Sequence, residues 1–266
     1  MMWLGLLALA WTPAAQSAEM RGPAWMASHV LVYASFDAGT PSPERLVQGV
    51  RLKENSAVDM ADAGLFGSAL RATERTLALE GDRLSPHRPL TLMFWWRLER
   101  DHPVDGYFGW YQFTGRGFTS AFSRGKGEWC ALTRPAGVMQ VYHLPGIPNV
   151  NHLFDLDLAR SLDLRGGVWH HLAAVFRPGS EIVLYLDGKR AAEVTTQGRG
   201  FRAEDGLRTL DLGPGLVLDE VIILERALEG EQIEEYLRGI EHMRIAREGL
   251  HAAGRADTAG STRTGR

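Results

Sequence analysis

Cysteine is nearly absent from this chain of 266 residues, with Cys130 the single example. One thiol cannot form an internal disulfide, so the fold must be held by its apolar core. Cys130 follows Trp129 in an aromatic, apolar stretch with no sequence neighbour to activate it, and reads as a buried structural thiol. Excess charge of either sign is also lacking. The formal net charge is −3, which gives no reason to expect nucleic acid as a partner, and the nine histidines are too scattered to form a metal-binding tract. Neither a Gly-x-Ser-x-Gly elbow nor a His-Glu-x-x-His pair occurs, and there is no phosphate-cradling glycine loop.

Long hydrophobic runs are missing as well. The one apolar run, Met1 to Trp11, is shorter than a membrane span, and small residues from Pro13 to Ala18 follow it. That pattern reads as a secretory signal over residues 1–18, cut after Ser17 or Ala18, although its first residues carry no Lys or Arg. An uncleaved anchor, or a cytosolic start at Met20 or Met26, are the alternatives. The expectation is an exported chain: secreted, periplasmic or at the cell surface, with no transmembrane segment in its mature form. At the other end, residues 244–266 are mostly small and polar and read as a disordered tail.

What is present is strand after strand. Val30–Phe36, Thr76–Glu80 and Leu90–Leu98 are rich in β-branched, aromatic and other apolar residues. Trp169–Phe176, a turn at Arg177–Ser180, Glu181–Leu186, a tight Asp187-Gly188 turn and Lys189–Val194 make an antiparallel meander. The links are too short for parallel crossovers. Leu216–Leu224 is the last strong strand. Beyond about Gly230, Ile233, Tyr236, Leu237 and Ile240 recur at helical spacing and form one stripe able to pack on a sheet. With no break in composition between Val30 and Ile240, the reading is one all-β domain over 30–243 after a short lead at 19–29. Its architecture is a two-sheet antiparallel jelly-roll sandwich with a short C-terminal helix packed against it.

Two blocks carry a family resemblance. WHHLAAVFRPGSEIVLYLDGKRAAEV at 169–194, and Leu218 to Ile223 followed by Arg226-Ala227-Leu228, resemble the laminin-G-like domains of the concanavalin A-like lectin and glucanase jelly rolls. Weaker similarities lie at Phe36-Asp37, at Gly64–Leu70 and at Leu90–Trp96. One departure is Glu229, at a helix entry where members usually carry a Ser or Thr cap, which implies a less firmly capped end. The segment from Tyr107 to Leu162 does not match closely.

The resemblance implies that the first and last strands are neighbours. Asp37 and Asp219, with Glu220 the weakest of the three, could then supply oxygen ligands to a structural Ca²⁺, as in some relatives. It also implies carbohydrate recognition or adhesion, the alternative being a protein-interaction or surface-architecture module. Trp110, Tyr111, Gln112 and Arg116, in an aromatic segment with polar members, are the candidate ligand residues; an ordinary strand with half its rings buried fits the same alternation. His170 and His171, being adjacent, should face opposite ways, one packed inside and one near the surface. Trp169 reads as sheet core, and Asp155, Asp157 and Asp163 as a solvated acidic stretch. The Glu-x-Asp-x-x-Glu run of related glucanases is absent, and Asp219-Glu220 cannot replace it if adjacent strand residues point oppositely. No catalytic residue is therefore assigned, and a glycoside hydrolase is the least favoured function.

Overall fold

The computed structural model describes residues 20–53, 59–61, 63–72, 76–100, 110–115, 118–121, 123–124, 128–129, 138–139, 156–157, 162–195, 208–213 and 215–261. Cys130, Asp155 and Arg116 fall outside them. Two antiparallel sheets face each other. The larger has the order β16 (Lys189–Thr195), β15 (Glu181–Leu186), β14 (His170–Arg177), β7 (Leu90–Arg97), β18 (Leu216–Leu224), β1 (Val30–Ala34), β2 (Arg45–Leu46). β5 (Ala69–Ala72) pairs with the first residues of β18, and β4 (Asp59–Ala61) pairs with β5. The smaller has the order β3 (Arg51–Leu52), β6 (Leu77–Glu80), β17 (Thr209–Leu212), β8 (Tyr111–Gly115), β9 (Phe118–Ala121). Two short ribbons pair β10 (Ser123–Arg124) with β11 (Glu128–Trp129), and β12 (Val138–Met139) with β13 (Leu156–Asp157).

Burial alternates with the pleat and so sorts side chains onto two faces. Leu92, Phe94, Trp96, Leu172, Ala174, Phe176, Leu218 and Ile223 meet Leu77, Leu79, Phe113, Leu210 and Leu212 between the sheets. The intervening residues Met93, Ala173, Val175, Ile222 and Leu224 form a second apolar layer on the outer face of the larger sheet. It is covered by the lead, whose Met26 is fully buried, and by α1 (Gly230–Ser261), through Ile233, Tyr236 and Ile240. The expected apolar stripe does pack on the sandwich. The helix, however, runs 32 residues and continues to Ser261, through most of the segment read as a disordered tail. Alanines and a run of good helix formers such as Arg244, Ala246, Arg247 and Glu248 sustain it, and Arg244 bonds Glu241 and Glu248 at helical spacing.

The helix entry is built from polar groups that sequence spacing could not pair. Thr91, fully buried in β7, donates to the Arg226 carbonyl at 2.6 Å and accepts from the Leu228 amide at 3.0 Å. Glu229 does not cap through its own side chain. Its amide donates to Gln232 Oε1 at 3.1 Å, while Arg177 binds both the Leu228 carbonyl and the Glu229 carboxylate. The missing Ser or Thr is thus offset by half of a capping box and by an arginine on the neighbouring sheet.

The β15–β16 turn explains the Trp-His-His strand. Asp187 (φ 48°) and Gly188 (φ 79°) both take left-handed backbone, as a two-residue hairpin turn requires. From there Asp187 Oδ1 accepts the His171 amide at 2.8 Å and Oδ2 lies 2.9 Å from His170 Nδ1, while His170 Nε2 faces the Asp163 carbonyl at 2.9 Å. Burial alone would lower the His170 pKa, but the Asp187 and Asp163 oxygens outweigh it and hold the pKa above 6.5. Burial would raise Asp187, yet its bonds to the two histidines keep it below 3.8. The histidines do take opposite faces, His170 against Trp96 (5.2 Å between ring centres) and His171 against Trp95 (5.4 Å) and Tyr236 (5.6 Å). Both are buried, His171 fully because α1 covers the side on which it emerges, and His170 beneath the exposed Asp163 and Asp187. Burial drives His171 down to about 3, so it stays neutral.

Replacing Thr91 by Val removes both helix-entry bonds and strands a buried carbonyl and amide. The expected loss is about 1–3 kcal/mol, read by urea unfolding. The raised His170 pKa fixes a sign for pH dependence. Its stabilisation is complete below 6.5 and is lost as the pH rises through the folded-state value. Unfolding measured from mildly acid to mildly alkaline pH should therefore show falling stability in the wild type and a flatter profile in His170→Gln.

Candidate functional site

β18 is buried along its whole length, yet two carboxylates sit in its middle: Asp219 and Glu220, both fully buried. They occupy a register shift between Asp219 and Ile222, where β18 loses its pairing with β5 and has yet to meet β1. Glu220 there has φ 48°, an uncommon backbone for a non-glycine residue that costs on the order of 1–3 kcal/mol. The extra residue cancels the alternation expected of neighbours. Asp219 and Glu220 consequently both bond to groups on the outer side of the larger sheet, a correction to the reading that they must point oppositely.

Asp219 is held by the backbone: Oδ2 accepts the Leu65 amide at 2.6 Å and Oδ1 accepts the Glu220 amide at 2.8 Å. Glu220 accepts the Tyr33 hydroxyl at 3.1 Å and forms an ion pair with Arg21. The second arm of Arg21 pairs with Asp37, which follows the left-handed Phe36 (φ 58°) at the end of β1. Close approaches explain the glycines of the Gly64–Gly67 turn. A Cβ on Gly64 would lie 2.3 Å from the Ser68 carbonyl oxygen and 2.7 Å from Asp219 Oδ2, and one on Gly67 2.5 Å from Asp37 Oδ1. Phe66, between them, lies under the Arg21 guanidinium at 4.4 Å. An open groove between the lead and α1, lined by Pro23, Arg238, His242 and Met243, borders Arg21.

Burial pushes Glu220 up to about 7 even though Arg21 pulls it down. It raises Asp219 well above the carboxylate range, with the neighbouring Glu220 charge adding to the effect. Burial opposes the charge on Arg21, but Glu220 and Asp37 more than restore it. Of the three acids that the resemblance implied for calcium, Asp37 and Glu220 thus share a guanidinium, and Asp219 is bound by backbone amides. Among the described residues no three acidic, histidine or cysteine side chains are arranged to hold a metal ion.

The candidate ligand residues are placed differently. Trp110 and Tyr111 are only 1% and 2% exposed. Trp110 packs on Trp96 at 5.5 Å, and Tyr111 meets Phe176 at 5.9 Å. Both are core, and a buried ring has no face to offer a sugar. Gln112 is paired in register with Asp211 of β17 and with Ala121 of β9. Trp169 is half-buried against Ala61, Ala69 and Val217, with Arg97 over its ring at 5.2 Å. Asp163 is exposed and bound by Arg165.

A polar row on the smaller sheet was not anticipated. Leu210 and Leu212 point into the core, so Thr209 and Asp211 lie on the outward side. Asp211 is half-buried opposite the small Ala78, accepts the Thr76 hydroxyl at 3.0 Å, and is raised by burial against the opposing effects of Thr76 and Lys53. One register step away, Thr209 stands opposite Glu80, which pairs with Arg51 at 3.2 Å. Asp211 accepts the Thr76 hydroxyl and has Lys53 within electrostatic reach. The sequence signal, Thr-Leu-Asp-Leu, is a four-residue alternation easily passed over.

Among solved structures the chain resembles the binding domain of Paraclostridial Mosquitocidal Protein 1 (14% identity, TM-score 0.55, 79% of this chain and 52% of that one). It also resembles domain 4 of AbnA, a GH43 extracellular arabinanase from Geobacillus stearothermophilus, in complex with arabinotriose (16%, 0.50, 79% and 98%). A third is the binding domain of botulinum neurotoxin DC in complex with rat synaptotagmin II (9%, 0.51, 81% and 52%). The chain spans about half the length of the two toxin fragments and nearly all of the arabinanase domain. At these identities the likeness is one of fold. No curated protein matches. Among the described residues no helix is long and apolar enough to cross a membrane. Residues 71–234, more than half of the chain and both signature blocks, match the concanavalin A-like lectin/glucanases superfamily, and the chain belongs to that family.

Proposed function

We propose that this chain is an exported, non-catalytic recognition domain that binds carbohydrate through the outward row of the smaller sheet centred on Asp211. The observation that carries the reading is the state of that carboxylate. It is half-buried in mid-sheet and held by a hydroxyl, with small Ala78 beside it and Thr209 and Glu80 one step along. Sugar hydroxyls need acceptors and short polar groups set on a rigid surface, and a β-sheet supplies them at fixed spacing. The family's lectin members, and the arabinotriose bound to the arabinanase domain, agree with such a ligand.

Catalysis is not part of the proposal. Glycoside hydrolysis needs two carboxylates in separate acid and nucleophile or base roles. Glu80, the nearest described acid along the register, is engaged with Arg51; Arg21 binds Glu220 and one oxygen of Asp37, and backbone amides bind Asp219.

A glycan array probed with the full chain and with Asp211→Asn tests the proposal. The wild type should bind a defined set of glycans, and Asp211→Asn should weaken binding about tenfold or more with its melting temperature unchanged. Absence of any glycan signal, or binding indifferent to Asp211, would overturn it, and capture of a protein ligand on the same face would replace sugar by protein. No reducing ends should be released from the bound glycans. Trp110→Ala should cost about 3–5 kcal/mol of stability in denaturant unfolding, as a core truncation does.

A further inference from the structure

The resemblance implied a calcium ion at these acids, and Arg21 stands there instead. We infer that the Arg21 guanidinium is the resident cation between Asp37 and Glu220, beside Asp219, and that this domain takes no divalent ion there. The fork of Arg21 reaches two carboxylates delivered by different elements, Asp37 after β1 and Glu220 in the β18 bulge. A planar guanidinium with several donors suits two acids that diverge, whereas an ammonium or a spherical ion does not reproduce that span. Calcium needs about six to eight oxygens converging at one point. Here both Asp219 oxygens accept amides, from Leu65 and Glu220, and among the described residues no such convergence exists.

Arg21 is also fixed from behind. Its amide donates to the Tyr33 hydroxyl, the same hydroxyl that donates to Glu220, and its guanidinium lies over Phe66. The lead that carries it is pinned by fully buried Met26 and by Trp25, whose Nε1 donates to Glu235 of α1 at 3.1 Å. A metal ion could enter only by evicting Arg21 and, with it, the lead. Residues 20–29 are therefore an integral strap across β1, β18 and α1, carrying inside the polypeptide the positive charge that the resemblance implied for a metal ion.

Thermal unfolding of the full chain in calcium and in EDTA, for the wild type, Arg21→Met, Glu220→Gln and the double variant, tests this. The wild type should melt at one temperature in both solutions. Arg21→Met should melt about 5–10 °C lower, as expected when one partner of a largely buried ion pair is removed. In the double variant part of that loss should return, because the stranded carboxylate is gone. A wild-type melting temperature that rises with calcium or falls with EDTA would overturn the inference, as would an Arg21→Met variant as stable as the wild type or strictly additive losses. Should Arg21→Met fail to fold, Arg21→Lys, expected to fall between the two, and the wild-type calcium and EDTA comparison decide the matter.

Discussion

A carboxylate cannot be buried in the central strand of a sheet without a compensating charge, a proton or several hydrogen bonds. β18 carries two, side by side, where it passes from β5 to β1. Much of the outer half of the molecule follows from satisfying them. The bulge turns both to one side; Gly64 and Gly67 let the backbone close on Asp219 and Asp37; Tyr33 presents its hydroxyl to Glu220; and Arg21 draws the N-terminal lead across the sheet. Once there, the lead covers apolar groups that would otherwise face water, and α1 completes the cover. Polar necessity and apolar burial thus select the same arrangement of chain ends.

The site proposed for carbohydrate lies on the other sheet and obeys different rules. There the outward side carries Thr209, Asp211 and Glu80, together with the small Ala78. Asp211 is raised by burial and accepts the Thr76 hydroxyl. The proposal thus keeps recognition apart from Asp219 and Glu220, which lie within the closing strand β18.

Legibility in the sequence followed the range of the interactions. The meander from His170 to Thr195 and the strand Leu216–Leu224 could be read because their periodicity and turn chemistry are local, and the Asp187-Gly188 turn announces its own backbone. Asp37, Asp219 and Glu220 could be nominated together through the resemblance. Arg21 could not: it lies 16 residues from Asp37 and 199 from Glu220, in a stretch with no pattern of its own. Trp110 and Tyr111 were misplaced because aromatic residues spaced for a platform are equally spaced for a core, and only burial separates the two. The helix beyond residue 243 eluded composition because its alanines are good helix formers as well as common linker residues.

The position of β18 has a kinetic side. It is the last strand in the chain and also the one that joins β7 to β1 and β5. Until residues 216–224 are available, the first strands of the larger sheet and its β7–β14–β15–β16 half have no shared partner, and each exposes an open edge. Contacts across nearly 200 residues must then form in one late step, a topology that folds slowly and leaves unpaired edges open to wrong association while it waits. A sheet zipped by the last of its described strands keeps those edges open until that strand finds its slot.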